Sequence, residues 1–262
     1  MICPACNAPC QPHRGIIAGC PTCGHRWLIQ ESAVGRQPVR EGVNDPGSVY
    51  PPDRRFDEFV TSVTRGVLCV RRPPPARLLD AGCGAGHFLT IAERFGYEAE
   101  GVDRSPQAVS ICRARGLKAR VSDLMVLSPP THFDVITIWD VVEHLDDPRA
   151  VLANLAHLLS PTGILVAKVP IYGALTPSLS NRIPRVAGIL LGVPGHVQYF
   201  TPSSLARMFA DVGLNAERRL IGHVRTAASG GPTRRRLARF GQRLVHRTSG
   251  DANMLLIAQR AN

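Results

Sequence analysis

The run Leu78-Leu79-Asp80-Ala81-Gly82-Cys83-Gly84-Ala85-Gly86 constrains this chain more than any other stretch. It joins a short apolar strand to a turn in which every second residue lacks a side chain. Glycine has no Cβ, so the backbone there can take positive φ and lie directly against a ligand. Asp103 closes the next apolar stretch, where a second parallel strand would end beside the first. A carboxylate about twenty residues after the turn is placed to accept hydrogen bonds from ribose hydroxyls. Cradle and acid together predict a nucleoside-bearing ligand.

Around this run, strands are expected at 77–81, 99–102, 119–121, 133–139, 163–169, 217–221 and 253–259, and helices at 86–95, 105–115, 148–159 and 202–212. Such alternation gives an α/β fold with a parallel sheet and helices on both faces. Ser105-Pro106 and Asp147-Pro148 each supply a capping side chain followed by proline at the first helical position. Upstream, Phe56, Phe59, Val60, Val63 and Val67 recur at helical spacing and predict a helix packed on this domain.

Five of the eight cysteines lie in the first 30 residues. Cys3-Pro4-Ala5-Cys6 and Cys20-Pro21-Thr22-Cys23 are two Cys-x-x-Cys knuckles separated by thirteen residues. Four thiolates so spaced suit a tetrahedral structural Zn2+ on a ribbon whose core is too small to fold without metal. Cys10, His13 and His25 are neighbouring alternatives, and a redox role lacks the βαβ context it needs. Cys69, Cys83 and Cys112 read as small buried hydrophobes. The domain plan is a zinc ribbon at 1–30, a Gly/Pro/Ser-rich linker at 31–52 and a large domain at 53–262. That domain carries a Gly/Pro-punctuated insertion at 171–200 and a basic segment at 230–250.

No apolar run reaches the ~20 residues of a membrane-spanning helix, and the N-terminus lacks the basic and apolar regions of a secretory signal, so the expected location is cytoplasmic. The net charge of +11 points to anionic partners. Arg234, Arg235, Arg236, Arg239, Arg243 and Arg247 alternate with Leu237, Phe240, Leu244 and Val245 as a basic amphipathic helix. Three readings of 234–247 stand side by side: a solvated helix covering the sheet, contact with an anionic membrane or lipid-linked substrate, and contact with RNA.

From Pro52 onward the chain resembles the class I S-adenosylmethionine-dependent methyltransferases. Residues Leu78 to Gly86 look like their first motif, Gly101-Val102-Asp103 like the ribose-binding acid and Ser122-Asp123-Leu124 like the adenine contact. Phe133-Asp134-Val135-Ile136 resembles the fourth strand, and Leu159 to Leu165 the entry to the fifth. Trp139-Asp140-Val141-Val142-Glu143-His144-Leu145 and Gly195-His196-Val197-Gln198-Tyr199-Phe200-Thr201-Pro202 resemble elements of one branch. It includes ubiquinone-biosynthesis O-methyltransferases and many small-molecule or sugar methyltransferases.

The resemblance implies a doubly wound, Rossmann-like, seven-stranded and mostly parallel sheet, with S-adenosylmethionine at its carboxyl edge. Asp80, Gly82, Gly84 and Gly86 would hold the methionine portion, Asp103 the ribose, and Asp123 and Leu124 the adenine, with Trp139 lining the pocket. His144, His196 and Glu143 are the catalytic candidates, because imidazole titrates near neutrality. Glu143 and His144 serve equally well, on this reading, as hydrogen-bonding groups that close loops over the cofactor. Asp140, Glu143 and His144 keep the spacing of a second divalent metal site, with Asp where relatives carry Glu. Tyr172, Tyr199 and Phe200 are candidate acceptor-pocket walls or packing residues. The strand after Phe133 leads to neither an Asn/Asp-Pro-Pro-Tyr/Phe element nor a Pro-Cys nucleophile, which disfavours adenine amino methylation and covalent C5-pyrimidine chemistry. The expected activity is O-methylation of a small-molecule or lipid/sugar-linked acceptor. The competing expectations are a zinc-ribbon rRNA methyltransferase and a non-catalytic zinc-dependent interaction protein that keeps the methyltransferase fold.

Overall fold

A computed structural model describes residues 1–10, 17–29, 54–128, 132–172, 196–221 and 252–261. The linker at 31–52, His13, positions 173–195 of the insertion and the basic segment at 234–247 lie outside the described residues.

Among the described residues, ten strands form two sheets. The large sheet contains β3 (Arg77–Ala81), β4 (Glu98–Asp103), β5 (Ala119–Val121), β6 (Phe133–Trp139), β7 (Leu159–Ile171), β9 (Leu214–Ile221) and β10 (Ala252–Arg260). Its order is β5-β4-β3-β6-β7-β10-β9. The first five strands run parallel, and β10 is inserted antiparallel to both β7 and β9. The chain winds outward from β3 in one direction and then returns to build the other side from β6. Sheets of this kind bind ligands in the crevice at the carboxyl ends of those two strands.

Side chains alternate across each strand, so neighbouring residues enter different cores. Leu78, Val135 and Leu255 face the cluster made with Val60, Val63 and Phe88, whereas Leu79, Ile136 and Leu256 face Leu152, Leu155 and Phe209. The first cluster is covered by α1 (Arg54–Val63) and α2 (His87–Arg94), the second by α4 (Pro148–Leu158) and α5 (Pro202–Asp211). Between β4 and β5 runs α3 (Pro106–Ala114). Ser105 and Asp147 cap α3 and α4 as their sequences predict, each accepting from an N–H three residues on.

Two features differ from the sequence expectation. Helix α4 ends at Leu158 and β7 begins at once, although Ser160-Pro161-Thr162-Gly163 reads as a turn. These residues form an irregular bulge: Phe133 pairs with Leu159 but Val135 with Ile164. The bare Gly163 lets the bulge close, since a Cβ there would stand 2.9 Å from the Phe133 carbonyl oxygen. The second difference concerns the N-terminal ribbon. Its hairpin, β1 (Ile17–Gly19) and β2 (Arg26–Leu28), forms a three-stranded antiparallel sheet with β8 (Gln198–Tyr199) of the large domain. Ala5, Ala18 and Trp27 join the same core as α4 and α5, and Arg149 on α4 donates both to the Ala5 carbonyl and to Asp211 on α5.

No helix among the described residues is long and apolar enough to cross a membrane.

Close packing beneath the glycine turn gives a direct test of this architecture. A Cβ at Gly101 in β4 would lie 2.6 Å from both Cys83 Sγ and Leu89 Cδ1. Gly101→Ala is expected to cost about 1–3 kcal/mol, the usual penalty for overpacking. Urea unfolding measures it, and an unchanged midpoint would contradict the packing described.

Candidate active site

The carboxyl edge of the sheet gathers the residues the sequence singled out. After β3 the chain turns through Gly82, Gly84 and Gly86, with φ of 81°, 51° and 78°. The turn is anchored by Gly82 and Cys83, whose N–H groups donate to the Val102 carbonyl of β4. Asp103 closes it from the side: one carboxylate oxygen accepts from Gly84 N–H at 2.9 Å, the other from Ser105 N–H at 2.9 Å. Each oxygen has further lone-pair capacity for a ligand hydroxyl. A Cβ at Gly84 would meet nothing within 4 Å, so this glycine faces open space. Gly82 instead carries the next loop, because a Cβ there would come 2.5 Å from Val141 Cγ2.

Asp80 lies beneath the turn, 2% exposed, accepting from Thr137 Oγ1 at 2.8 Å. Burial pushes its carboxyl up to about 7, against the Thr137 hydrogen bond and with help from the charge of Asp103. Asp123 sits past β5, exposed, and accepts from Met125 N–H. Leu124 is buried beside it. Asn154, a polar residue on the inner side of α4, donates to the carbonyls of Leu124 and Leu127 and so fixes this loop. Trp139 packs edge-on against Phe59 and Phe88, and its indole N–H has no partner among the described residues.

Beyond Trp139 the chain makes a tight loop. Asp140 has φ 54°, a left-handed conformation that Asp tolerates better than most residues. It is held there by Lys168 of β7, whose Nζ lies 2.5 Å from both carboxylate oxygens. A single 3-10 turn, Val142–His144, then buries Glu143 to 1% exposure. His196 arrives from the segment before β8, and its Nδ1 shares a hydrogen bond of 2.7 Å with Tyr172 OH. The His144 and His196 rings meet edge to face with centroids 4.9 Å apart. Glu143 Oε1 is 4.0 Å from Nε2 of each, and its Oε2 has no partner among the described residues.

Two groups of this cluster are pushed toward their neutral forms. Burial drives the Glu143 carboxyl well above its ordinary range, Asp140 adds to the shift and Lys168 opposes it. Burial lowers His196 to about 3, with His144 and Lys168 contributing. Asp140, Glu143 and His144, whose spacing left room for a second metal, do not come together as one ligand set. The Asp140 carboxylate is occupied by Lys168, and the three groups whose ligand atoms converge within 4.8 Å are Glu143, His144 and His196.

In the ribbon, Cys3, Cys6, Cys20 and Cys23 bring their sulfurs within 4.8 Å of one another. The Cys3–Cys23 and Cys6–Cys20 separations are 3.7 and 3.6 Å. These are far longer than a disulfide and close to the edge of about 3.8 Å that a tetrahedron with 2.3 Å Zn–S bonds requires. Burial would raise Cys20, but the N–H groups of Cys23 and Thr22 aimed at its sulfur, together with the Cys6 and Cys3 thiols, bring it down to about 6. Cys10 is not among the four converging sulfurs and bonds to the Ala8 carbonyl, whereas His25 turns inward to Gln198.

The sequence profile of a methyltransferase domain family matches residues 54–218. The chain belongs to this methyltransferase family. Two ubiquinone biosynthesis O-methyltransferases are among its relatives. That of Xanthomonas euvesicatoria pv. vesicatoria is 30% identical over 154 residues, covering 54% of this chain and 64% of the relative. That of Xanthomonas campestris pv. campestris is 31% identical over 145 residues, covering 51% and 60%. The chain thus spans less than two thirds of these relatives' length. Among solved structures, the magnesium protoporphyrin IX methyltransferase of Synechocystis PCC 6803 with bound SAH has a TM-score of 0.58 at 18% identity, covering 85% of this chain and 98% of that one. The Haemonchus contortus phosphoethanolamine N-methyltransferase 2 in complex with S-adenosyl-L-methionine gives 0.60 at 14% identity, covering 90% and 62%. The chain therefore has the seven-stranded, Rossmann-like fold that its sequence motifs imply.

The residues of the chain fit two groups. The open face of Gly84, the spare lone pairs of Asp103 and the buried carboxyl of Asp80 suit a cationic nucleoside such as S-adenosylmethionine. The four sulfurs suit zinc. Sequence reasoning did not find Lys168 or Asn154, although each interrupts an otherwise apolar face of its element.

Because Asp80 titrates near 7 when folded and near 4 when unfolded, the folded protein holds an extra proton between those values. Stability therefore falls as pH rises across that window. Asp80→Asn should flatten this slope in thermal melts from pH 4.5 to 7.5, and parallel curves for the two proteins would contradict the assignment.

Proposed function

We propose that the protein transfers a methyl group from S-adenosylmethionine to a hydroxyl oxygen of a small-molecule or lipid/sugar-linked acceptor. The observation that carries this reading is the convergence of Glu143, His144 and His196, one short loop away from the glycine turn and in contact with it through Val141. The O-methyltransferase activity of the two Xanthomonas relatives supports the same class of chemistry.

When bound, S-adenosylmethionine supplies a sulfonium methyl group open to in-line displacement. Gly84 and Asp80 would hold its methionyl end, Asp103 its ribose, and Asp123 and Leu124 its adenine, with Trp139 lining the pocket. Asp80 ionises more readily beside a cation and so strengthens the hold on a charged donor over its neutral product. What remains for the protein is to place the acceptor oxygen in line and to take its proton.

The base is His144. At 32% exposure it can reach an acceptor, whereas His196, with its proton affinity lowered to about 3, is a poor proton acceptor and serves to fix the acceptor through its Tyr172-anchored ring. Burial disfavours a free Glu143 anion, and the Glu143 carboxyl beside His144 steadies the imidazolium that forms as His144 takes the acceptor's proton. The Cys3, Cys6, Cys20 and Cys23 site holds structural Zn2+ on this reading.

Isothermal titration and a labelled-methyl assay test these roles. Asp103→Ala is expected to weaken S-adenosylmethionine binding at least about tenfold. His144→Ala should keep that affinity and lower kcat by about 10²–10⁴, the usual contribution of a positioned base. Transfer of label from the cofactor to RNA instead of hydroxylated small molecules would overturn the proposed acceptor class.

A further inference from the structure

The hairpin of the ribbon does more than share a core with the large domain. Strand β2 pairs with β8 through Arg26 opposite Tyr199 and Trp27 opposite Gln198. One residue earlier the Val197 carbonyl accepts from Leu28 N–H at 3.0 Å, while Val197 N–H donates to the Glu143 carbonyl at 2.9 Å. The peptide next to His196 is therefore suspended between the ribbon and the turn that carries Glu143. A side-chain path runs parallel to it. His25, fully buried two residues after Cys23, lies 2.8 Å from Gln198 Oε1 through its Nε2. Gln198 Nε2 donates to the carbonyls of Leu145 and Asp146, directly after the Glu143–His144 turn. Phe200 packs against His25 with tilted rings and centroids 4.8 Å apart, and its carbonyl accepts from the N–H of Tyr172, the residue whose hydroxyl anchors His196.

The hairpin that supports all this has two strands of three residues each. A ribbon of that size depends on its metal for a fixed shape. We propose that His25 and Gln198 are positioning residues through which zinc in the ribbon holds the Glu143, His144 and His196 cluster in register, so that the metal site is a structural part of the acceptor site. This rests on the reading of that cluster as the acceptor side. The cofactor edge depends on Asp103, Gly84 and Ser105 and does not pass through the ribbon. Loss of zinc or of the Gln198 link should thus loosen one half of the crevice and spare the other.

Gln198→Ala leaves every zinc ligand in place and tests the link with the full chain. The variant is expected to retain one zinc per chain by metal analysis and to bind S-adenosylmethionine within twofold of the parent. Hydrogen exchange should speed up at least tenfold at 143–146 and 196–200 with no change at 80–86 and 103–109. The 15N signals of the His196 ring should move from one fixed tautomer toward an averaged mixture. Zinc-stripped parent protein should show the same local pattern. Exchange and tautomer unchanged in Gln198→Ala would overturn the proposal, and so would a uniform loss of protection over the whole domain. Neither result bears on the base assignment, which is read separately from kcat in His144→Ala.

Discussion

A single carboxylate ties the two turns of the donor edge together. Asp103 takes the N–H of Gly84 on one oxygen and that of Ser105 on the other, so the glycine turn after β3 and the start of α3 share one anchor. Buried peptide N–H groups need partners, and a turn with three left-handed glycines has few ways to provide them internally. With this clasp in place the turn presents Gly84 to open space and offers Gly82 as a seat for Val141. Val141 begins the turn that delivers Glu143 and His144. The position of the acceptor-side groups thus follows from the way one acid organises the cofactor side.

Charge is distributed in the crevice with the same economy. Lys168 is buried in the middle of β7, a costly place for an ammonium group unless it is paired. Asp140 is its partner, and the pair pins a left-handed backbone at the end of β6. Glu143 is buried and His196 half-buried without a partner charge, and both are pushed toward their neutral forms. On the proposed reading, a preorganised group of proton-exchanging side chains next to the glycine turn suits methyl transfer to oxygen, in which a proton must leave while the donor loses its charge.

The sequence made the cofactor edge legible because its signals are local. Glycines at fixed spacing, an acid at the end of the next strand and Ser-Pro or Asp-Pro caps all act within a few residues of one another, and their elements stand within a residue or two of expectation. Long-range features were hidden. Nothing in Gln198 announces that it faces His25, because the pairing spans most of the chain. Asp140 looked like a metal ligand by spacing, and only the fold brings Lys168 against it. Residues 160–163 carry turn chemistry but are drawn into β7 as a bulge, where tertiary pairing with β6 outweighs local preference. The zinc knuckles were plain, yet their spacing carries no information on what the ribbon packs against.

On the proposed reading, the glycine turn and the Glu143–His144–His196 cluster are two halves of one crevice, with the methyl group delivered between them. A structure of the zinc-loaded protein with S-adenosylhomocysteine tests it most directly. The account predicts ribose hydroxyls on Asp103, the adenine beside Leu124 and the sulfur directed toward the His144 and His196 rings. A ligand whose sulfur points away from that cluster, or whose methionyl tail fills it, would contradict the account.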